Sequence, residues 1–197
     1  MITTALHAST PHSTLRPYVV RAAVSVLWAV LLAVTLATSG SSASVPALVI
    51  ALLVAYPIVD LVASLVELRE PRSGASGTSS LLVLNAAISV VTAVALGVAA
   101  GHSAGAALRV FGIWALLTGL IQLSAAVARR RSGHRGQWSM ILSGSISAVA
   151  GVLFVQMGGH AEPALTGLAG YAVAGAVFLL IAVHRRRTPR DAGAAIR

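Results

Sequence analysis

Asp60 is the residue of this sequence whose position most demands a chemical explanation. It is one of only five acidic residues in the 197-residue chain, and it interrupts the otherwise apolar stretch LLVAYPIVDLVASLV. Carboxylates inside membrane helices are costly, and they mark proton or solute pathways. Asn85 and Gln122 occupy comparable depths in the next two apolar runs. The spacing therefore predicts an intramembrane polar cluster of Asp60, Asn85 and Gln122.

Two roles for this cluster remain open at the level of the sequence. A neutral Asp60 hydrogen-bonded to Asn85 or Gln122 would hold helices together. Alternatively, Asp60 would line a pathway for protons or a solute. Arg109 lies too far along the helix axis to be a natural ion-pair partner.

His102 and His160 are candidate acid sensors. Both fall in short polar turns between apolar runs, with Glu162 near the second. Histidine gains its charge near pH 6.5, so it responds to mild acid. The competing interpretation is two solvated loop histidines. Two histidines and one glutamate on mobile turns are too few ligands for a typical zinc site, so we expect no metal site.

Enzymatic activity is not expected from this sequence. It contains no nucleophile elbow, phosphate-binding glycine loop, HExxH pair or paired intramembrane carboxylates. It has no cysteine, which removes disulfide and thiol chemistry. We therefore predict no catalytic residues and no cofactor.

The elements that position these residues are transmembrane helices. Residues 110–128 carry no formal charge and would form a helix of about 28 Å, close to the roughly 30 Å bilayer core. Hydrophobic residues make up 57% of the chain and charged residues 10%, against about 25% charged in soluble domains. We predict an all-α integral membrane protein with spans at 18–38, 46–68, 81–100, 107–128, 138–157 and 164–183, and with tails at 1–17 and 188–197.

The first apolar run also has features of a signal peptide, because Ser- and Ala-rich residues follow it. Its length of about twenty residues and the seventeen-residue tail before it favour a retained helix.

The arginines predict the orientation in the membrane. With the N-terminus inside, every arginine except Arg109 falls on the inner side. Such an excess marks the cytoplasmic face, so we expect an inner-membrane (plasma-membrane) protein with both termini in the cytoplasm. The inner arginine clusters would also bind anionic lipid. Nucleic-acid binding is not expected, because no aromatic platform is interleaved with the arginines.

An internal repeat underlies the six runs. Ala-Leu pairs begin at Ala47, Ala107 and Ala164, so the spacings are 60 and 57 residues. Each pair is followed by an aromatic residue, and each unit ends in arginine-bearing sequence. The chain thus reads as three tandem helical hairpins that enter the membrane in the same direction.

These hairpins resemble the short-repeat membrane proteins of the HdeD-like, acid-resistance family. The resemblance is carried by YPIVDLVASLVEL, FGIWALLTGLIQLSAAVARRR, WSMILSGSISAVAGVLF and GLAGYAVAGAVFLLIAV. It implies a six-helix inner-membrane protein linked to acid or envelope stress, without catalytic residues to transfer. The alternative function is a small proton-coupled transporter or channel that uses Asp60. The acid is not repeated, since the equivalent positions near Thr118 and Gly175 lack it.

Rows of small residues recur at helical spacing, for example Ser143, Ser147 and Gly151, and Gly97, Gly101 and Gly105. Such rows let helix backbones approach closely. A narrow pore is the competing interpretation. A helix face kept for a second copy in a homo-oligomer is equally compatible with the sequence.

The topology is tested with single cysteines, because the native chain has none. In intact cells, an impermeant maleimide should label a cysteine that replaces Ser42 and should not label one that replaces Ser76. Labelling at position 76, or protection at position 42 that permeabilisation relieves, would contradict the orientation.

Overall fold

The computed structural model describes residues 16–39, 44–69, 76–133 and 137–187. These residues form α1 (Arg16–Thr38), α2 (Ala47–Arg69), α3 (Ser76–His102), α4 (Ala104–Arg131), α5 (Trp138–Met157) and α6 (Thr166–Arg187). Across the described ranges the structure is helical without strands, which confirms the predicted six-helix fold class. Most of both predicted tails lies outside the described part. The same holds for the side chain of Ser76 and for Ser42, Arg72, Arg135, Arg190 and Arg197.

The helix exteriors are those of a membrane protein. Helices α1 to α5 are long and apolar enough to cross a bilayer, and the apolar part of α6, Thr166–Ile181, is shorter. Aliphatic side chains point outward along the bundle, and Val91 and Val94 are 69% and 68% exposed. So extensive an apolar surface would be unfavourable in water. The protein is therefore embedded in a membrane.

The six helices close into a ring. Each helix packs against its neighbours in the chain, and α6 returns to pack against α1. The most extensive contacts join α2 to α3, α4 to α5 and α6 to α1, whereas the two helices of a hairpin touch less. This alternation is what three similar hairpins around one axis produce. One end of the ring, where α2, α4 and α6 finish in arginines, is called the arginine end below.

Helices α4 and α5 meet through facing glycines seven residues apart. Gly112 and Gly119 of α4 lie against Gly151 and Gly144 of α5, and Gly105 of α4 lies against Gly158, the C-cap residue of α5. A Cβ added at Gly112 would lie 2.6 Å from the Gly151 carbonyl oxygen, and one at Gly119 would lie 2.8 Å from that of Gly144. The backbones are therefore in contact, as small residues permit in membranes. By contrast, the predicted stripe at Gly97 and Gly101 makes no such approach, because Gly97 meets only Val54 at 3.8 Å and Gly101 meets nothing within 4 Å.

Phe111 fills the centre of the ring. It is fully buried, and five aromatic rings surround it at centroid distances from 5.2 to 6.4 Å: Trp28, Tyr56, Trp114, Phe154 and Tyr171. Toward the end opposite the arginines, fully buried Leu32, Leu53 and Leu108 continue the core. This end of the bundle is a packed apolar plug.

The glycine interface generates a stability prediction. Gly112→Ala should destabilise the protein by about 1–3 kcal/mol. The added methyl group would collide with the α5 backbone, so the two helices would have to move apart. Unfolding in mixed detergent–SDS micelles measures the change.

Gly170→Ala is the matched control, since Gly170 is exposed in the second turn of α6 with nothing within 4 Å. Its better helix propensity should leave stability equal or slightly higher. Equal stability of the two variants would show that the α4–α5 contact is looser than described.

Candidate functional site

Each hairpin contains the same buried hydrogen bond between a serine of its first helix and an aromatic side chain of its second. Tyr56 bonds to Ser25 in the first hairpin. Trp114 Nε1 donates to Ser89 Oγ at 3.2 Å in the second. Ser147 Oγ and the Tyr171 hydroxyl lie 2.6 Å apart in the third. We call these three pairs, Ser25–Tyr56, Ser89–Trp114 and Ser147–Tyr171, the serine–aromatic girdle.

A polar cavity of about 200 Å³ lies between the girdle and the arginine end. All six helices line it. Its polar lining comprises Arg21, Ser25, Tyr56, Asp60, Ser64, Glu67, Asn85, Thr118, Gln122, Arg129, Ser139, Ser143, Ser147 and Tyr171. Because the girdle and Phe111 stand at its deep end, the cavity is blind.

Asp60 forms an ion pair with Arg21 inside this cavity. The Arg21 guanidinium donates to Oδ1 of Asp60. Oδ2 accepts from Asn85 Nδ2 at 2.6 Å and from Ser89 Oγ at 3.1 Å. The Asp60 side chain is 8% exposed and that of Arg21 42%. These three donors surround the carboxyl group in the way that an acceptor-only carboxylate requires.

The hydrogen bonds around Asp60 have a fixed direction. Asn85 Nδ2 bonds both Asp60 and Ser64 Oγ, the latter at 3.0 Å. The Ser89 hydroxyl donates to Asp60, so it accepts from Trp114. An indole N–H donates but cannot accept, so no proton can pass beyond Trp114 along this chain. The network ends at the girdle.

Gln122 does not join Asp60. It lines the same cavity, but its Nε2 points to the Met140 carbonyl oxygen of α5 at 3.5 Å. The structure thus brings two members of the predicted cluster, Asp60 and Asn85, into contact and places the third across the cavity. Arg109 is near Gly158 and Gly159 at the end opposite Arg21.

The predicted acid-sensing histidines lie outside the cavity. His102 ends α3 and His160 lies in the turn after α5, and both side chains are exposed. Glu162 is exposed as well. Within the described ranges, no three His, Asp or Glu residues come together in a way that could hold a metal ion.

Sequence reasoning did not assign Arg21 or the three girdle serines to the site, and it noted Ser147 only as part of a row of small residues. Arg21 was counted only among the inner-side arginines, although it lies more than a turn into α1 and its guanidinium reaches Asp60. The serines did carry a signal, because Val24-Ser25, Ile88-Ser89 and Ile146-Ser147 repeat a β-branched residue followed by serine in each odd-numbered helix.

The arrangement can bind and orient a small polar solute. Its lining offers a cation, a carboxylate, amides and hydroxyls, together with the aromatic rings of the girdle at the deep end. The Arg21–Asp60 ion pair at the floor can also exchange partners when the Asp60 carboxylate is protonated. A second, looser pair lies near the mouth, where Arg129 Nη2 is 3.8 Å from Glu67 Oε1.

The Arg21–Asp60 pair yields the second stability prediction. Asp60→Asn should destabilise the protein by about 1–3 kcal/mol, because it leaves Arg21 without its counter-ion. This is below the roughly 3–5 kcal/mol of fully buried pairs, since Arg21 is partly exposed. The double variant Arg21→Gln/Asp60→Asn should lose less than the sum of the two single variants.

Unfolding in mixed micelles again gives the measurement. Arg109→Gln is the control for losing an arginine outside the cavity, and it should have little effect. Additive single-variant losses would contradict a coupled pair.

Comparison with known proteins agrees with the repeat architecture. Residues 84–156 match the family described as "Short repeat of unknown function (DUF308)", from α3 through α4 into α5. Searches of curated proteins and of solved structures each return no match. Over this segment the chain is similar to the short-repeat family that includes the HdeD-like membrane proteins, and the resemblance found in the sequence is confirmed.

Proposed function

We propose that this is a non-enzymatic, multi-pass protein of the cell inner membrane whose cavity binds a small polar solute from the cytoplasmic side. The observation that carries the proposal is the blind polar cavity, which a bundle built only for packing would not keep. Empty polar space inside a membrane bundle costs packing energy, so a ligand or ordered water is expected to occupy it.

The orientation is supported by the distribution of arginines. Positive residues concentrate on the cytoplasmic side of membrane proteins, and this supports an orientation with the arginine end and the cavity mouth toward the cytoplasm. Arg130 lies 4.1 Å above the ring of Trp138 at this end. Aromatic rings and arginines at one level are typical of the headgroup region, and anionic lipid is the expected partner there.

A role in acid or envelope stress is supported by the resemblance to the acid-resistance family. On the proposed orientation, His102 and His160 would face the outside. The cavity on the opposite side would then serve the solute.

Proton-coupled transport through Asp60 is the second candidate, and the ion pair favours it, because protonation of Asp60 would break a charge contact at the cavity floor. An open proton channel is a poorer candidate. The hydrogen-bond chain from Asp60 ends at the indole of Trp114, and fully buried aliphatic residues lie beyond it. A transporter would have to move Phe111 to open the other side.

The cavity can be tested by filling it. In cells that lack the chromosomal copy, the wild-type gene should restore survival in acid, and Ser143→Phe should not, because the phenyl group occupies the solute space. Val94→Phe, on the exposed face of α3, is the matched control and should behave as wild type. Membrane abundance is measured in parallel for all three proteins.

Full protection by Ser143→Phe at normal abundance would show that the cavity is not needed. No survival difference between wild type and deletion would contradict the stress role.

A further inference from the structure

Arg21 is the one cation that the described structure places at the floor of the cavity. It lies five residues inside α1, and its guanidinium bonds Asp60, which is nine residues from the end of α2. Arg129, the other described arginine of the lining, is only two residues from the end of α4 and pairs with Glu67 near the mouth. A ligand that reaches the floor therefore meets a single positive charge.

The counter-ion of Arg21 is a carboxylate supplied by the protein itself. A guanidinium presents donors in a planar fork that fits a carboxylate. Protonation of Asp60 would cancel its negative charge and leave the fork without an ionic partner. A carboxylate from outside has the geometry that Asp60 has and can take its place.

We propose that the cavity binds a small monocarboxylate on Arg21 while Asp60 takes up one proton. The inference rests on the proposed solute-binding function and names the class of solute. The ligand and the proton enter together, RCOO⁻ and H⁺, so the net charge of the cavity does not change. Arg21 exchanges the Asp60 carboxylate for that of the ligand, and the Asp60 carboxyl keeps its bonds to Asn85 and Ser89.

The shape of the cavity limits the ligand. Its volume of about 200 Å³ exceeds the roughly 150 Å³ of an engineered cavity that takes benzene, so a carboxylate with about six non-hydrogen atoms fits. The aromatic floor suits an apolar body. A dianion is excluded at the floor because Arg21 faces it alone among described cations.

Asp60 is the carboxyl group of the lining that lies at the floor beside Arg21, and we therefore assign the proton exchange to it. Helices α3 and α5 contribute no ionisable side chain to the lining. The remaining ionisable lining residues are Arg21 on α1, Tyr56 and Glu67 on α2, Arg129 on α4 and Tyr171 on α6. Glu67 lies near the mouth, seven residues beyond Asp60 in α2, and is within 3.8 Å of Arg129.

Isothermal titration calorimetry of the purified full-length protein in detergent tests the inference. Butyrate is the probe, and butyramide is its neutral counterpart of the same size. Titration in two buffers of different ionisation enthalpy counts protons. Butyrate should bind with uptake of about one proton, and its Kd should rise up to tenfold between pH 6.5 and pH 7.5. Butyramide should bind at least tenfold more weakly.

Three variants separate the roles of the two residues. Arg21→Gln should weaken butyrate binding at least tenfold. Asp60→Asn should keep binding, with no proton uptake and no dependence on pH. Arg109→Gln should match wild type. If Asp60→Asn does not fold, the proton count of the wild-type protein decides alone.

Binding of butyrate without proton uptake, or equal binding of butyramide, would overturn the inference. So would the absence of butyrate binding. If Ser143→Phe abolishes acid survival while butyrate fails to bind, the solute-binding function stands and the carboxylate assignment is wrong. If Ser143→Phe protects fully while butyrate binds with a proton, the assignment stands and the stress role of the cavity fails.

Discussion

A carboxylate that is 8% exposed inside a membrane bundle sets the terms for the rest of this structure. Removing a charge from water costs several kcal/mol unless an opposite charge and hydrogen bonds compensate it. The compensation for Asp60 comes from Arg21 on α1 and from Asn85 and Ser89 on α3. Helices α1, α2 and α3 must therefore converge at one depth. Trp114 extends the requirement to α4, because its indole satisfies Ser89.

The internal repeat explains why this convergence also produces a cavity. Asp60, Thr118 and Gly175 stand at similar places in the three hairpins, and all three line the same cavity. The girdle likewise places one serine–aromatic pair per hairpin around the axis. A charge occupies only the first of the three positions, so a nearly symmetric scaffold carries an asymmetric site. Phe111 has no equally central aromatic counterpart in the other two hairpins, and it closes the ring axis at the deep end of the cavity.

The sequence predicted the helices correctly because bilayer thickness requires apolar runs of about twenty residues. Arginines at the ends of these runs mark where the helices leave the membrane. Sequence reasoning also singled out Asp60 and Asn85, since polar residues in such runs are few. It did not reach Arg21, because an arginine near a helix end is ordinarily read as an interfacial anchor. The glycine pairs Gly112–Gly151 and Gly119–Gly144 depend on which helices face each other. Periodicity within one helix does not determine that, although the seven-residue spacing was visible in the sequence.

The α4–α5 interface and the polar cavity have different physical roles in the bundle. Apolar side chains gain little by leaving lipid for protein, so helix association in a membrane depends on close packing and hydrogen bonds. Helices α4 and α5 supply the close packing through their glycines, and this offsets the packing lost around the cavity. The family match at 84–156 contains the Gly112–Gly151 and Gly119–Gly144 contacts and the Ser89–Trp114 pair, but neither Arg21 nor Asp60. The similarity to the short-repeat family thus concerns the scaffold, and the charge pair that would select a ligand lies in the part of the chain outside the match.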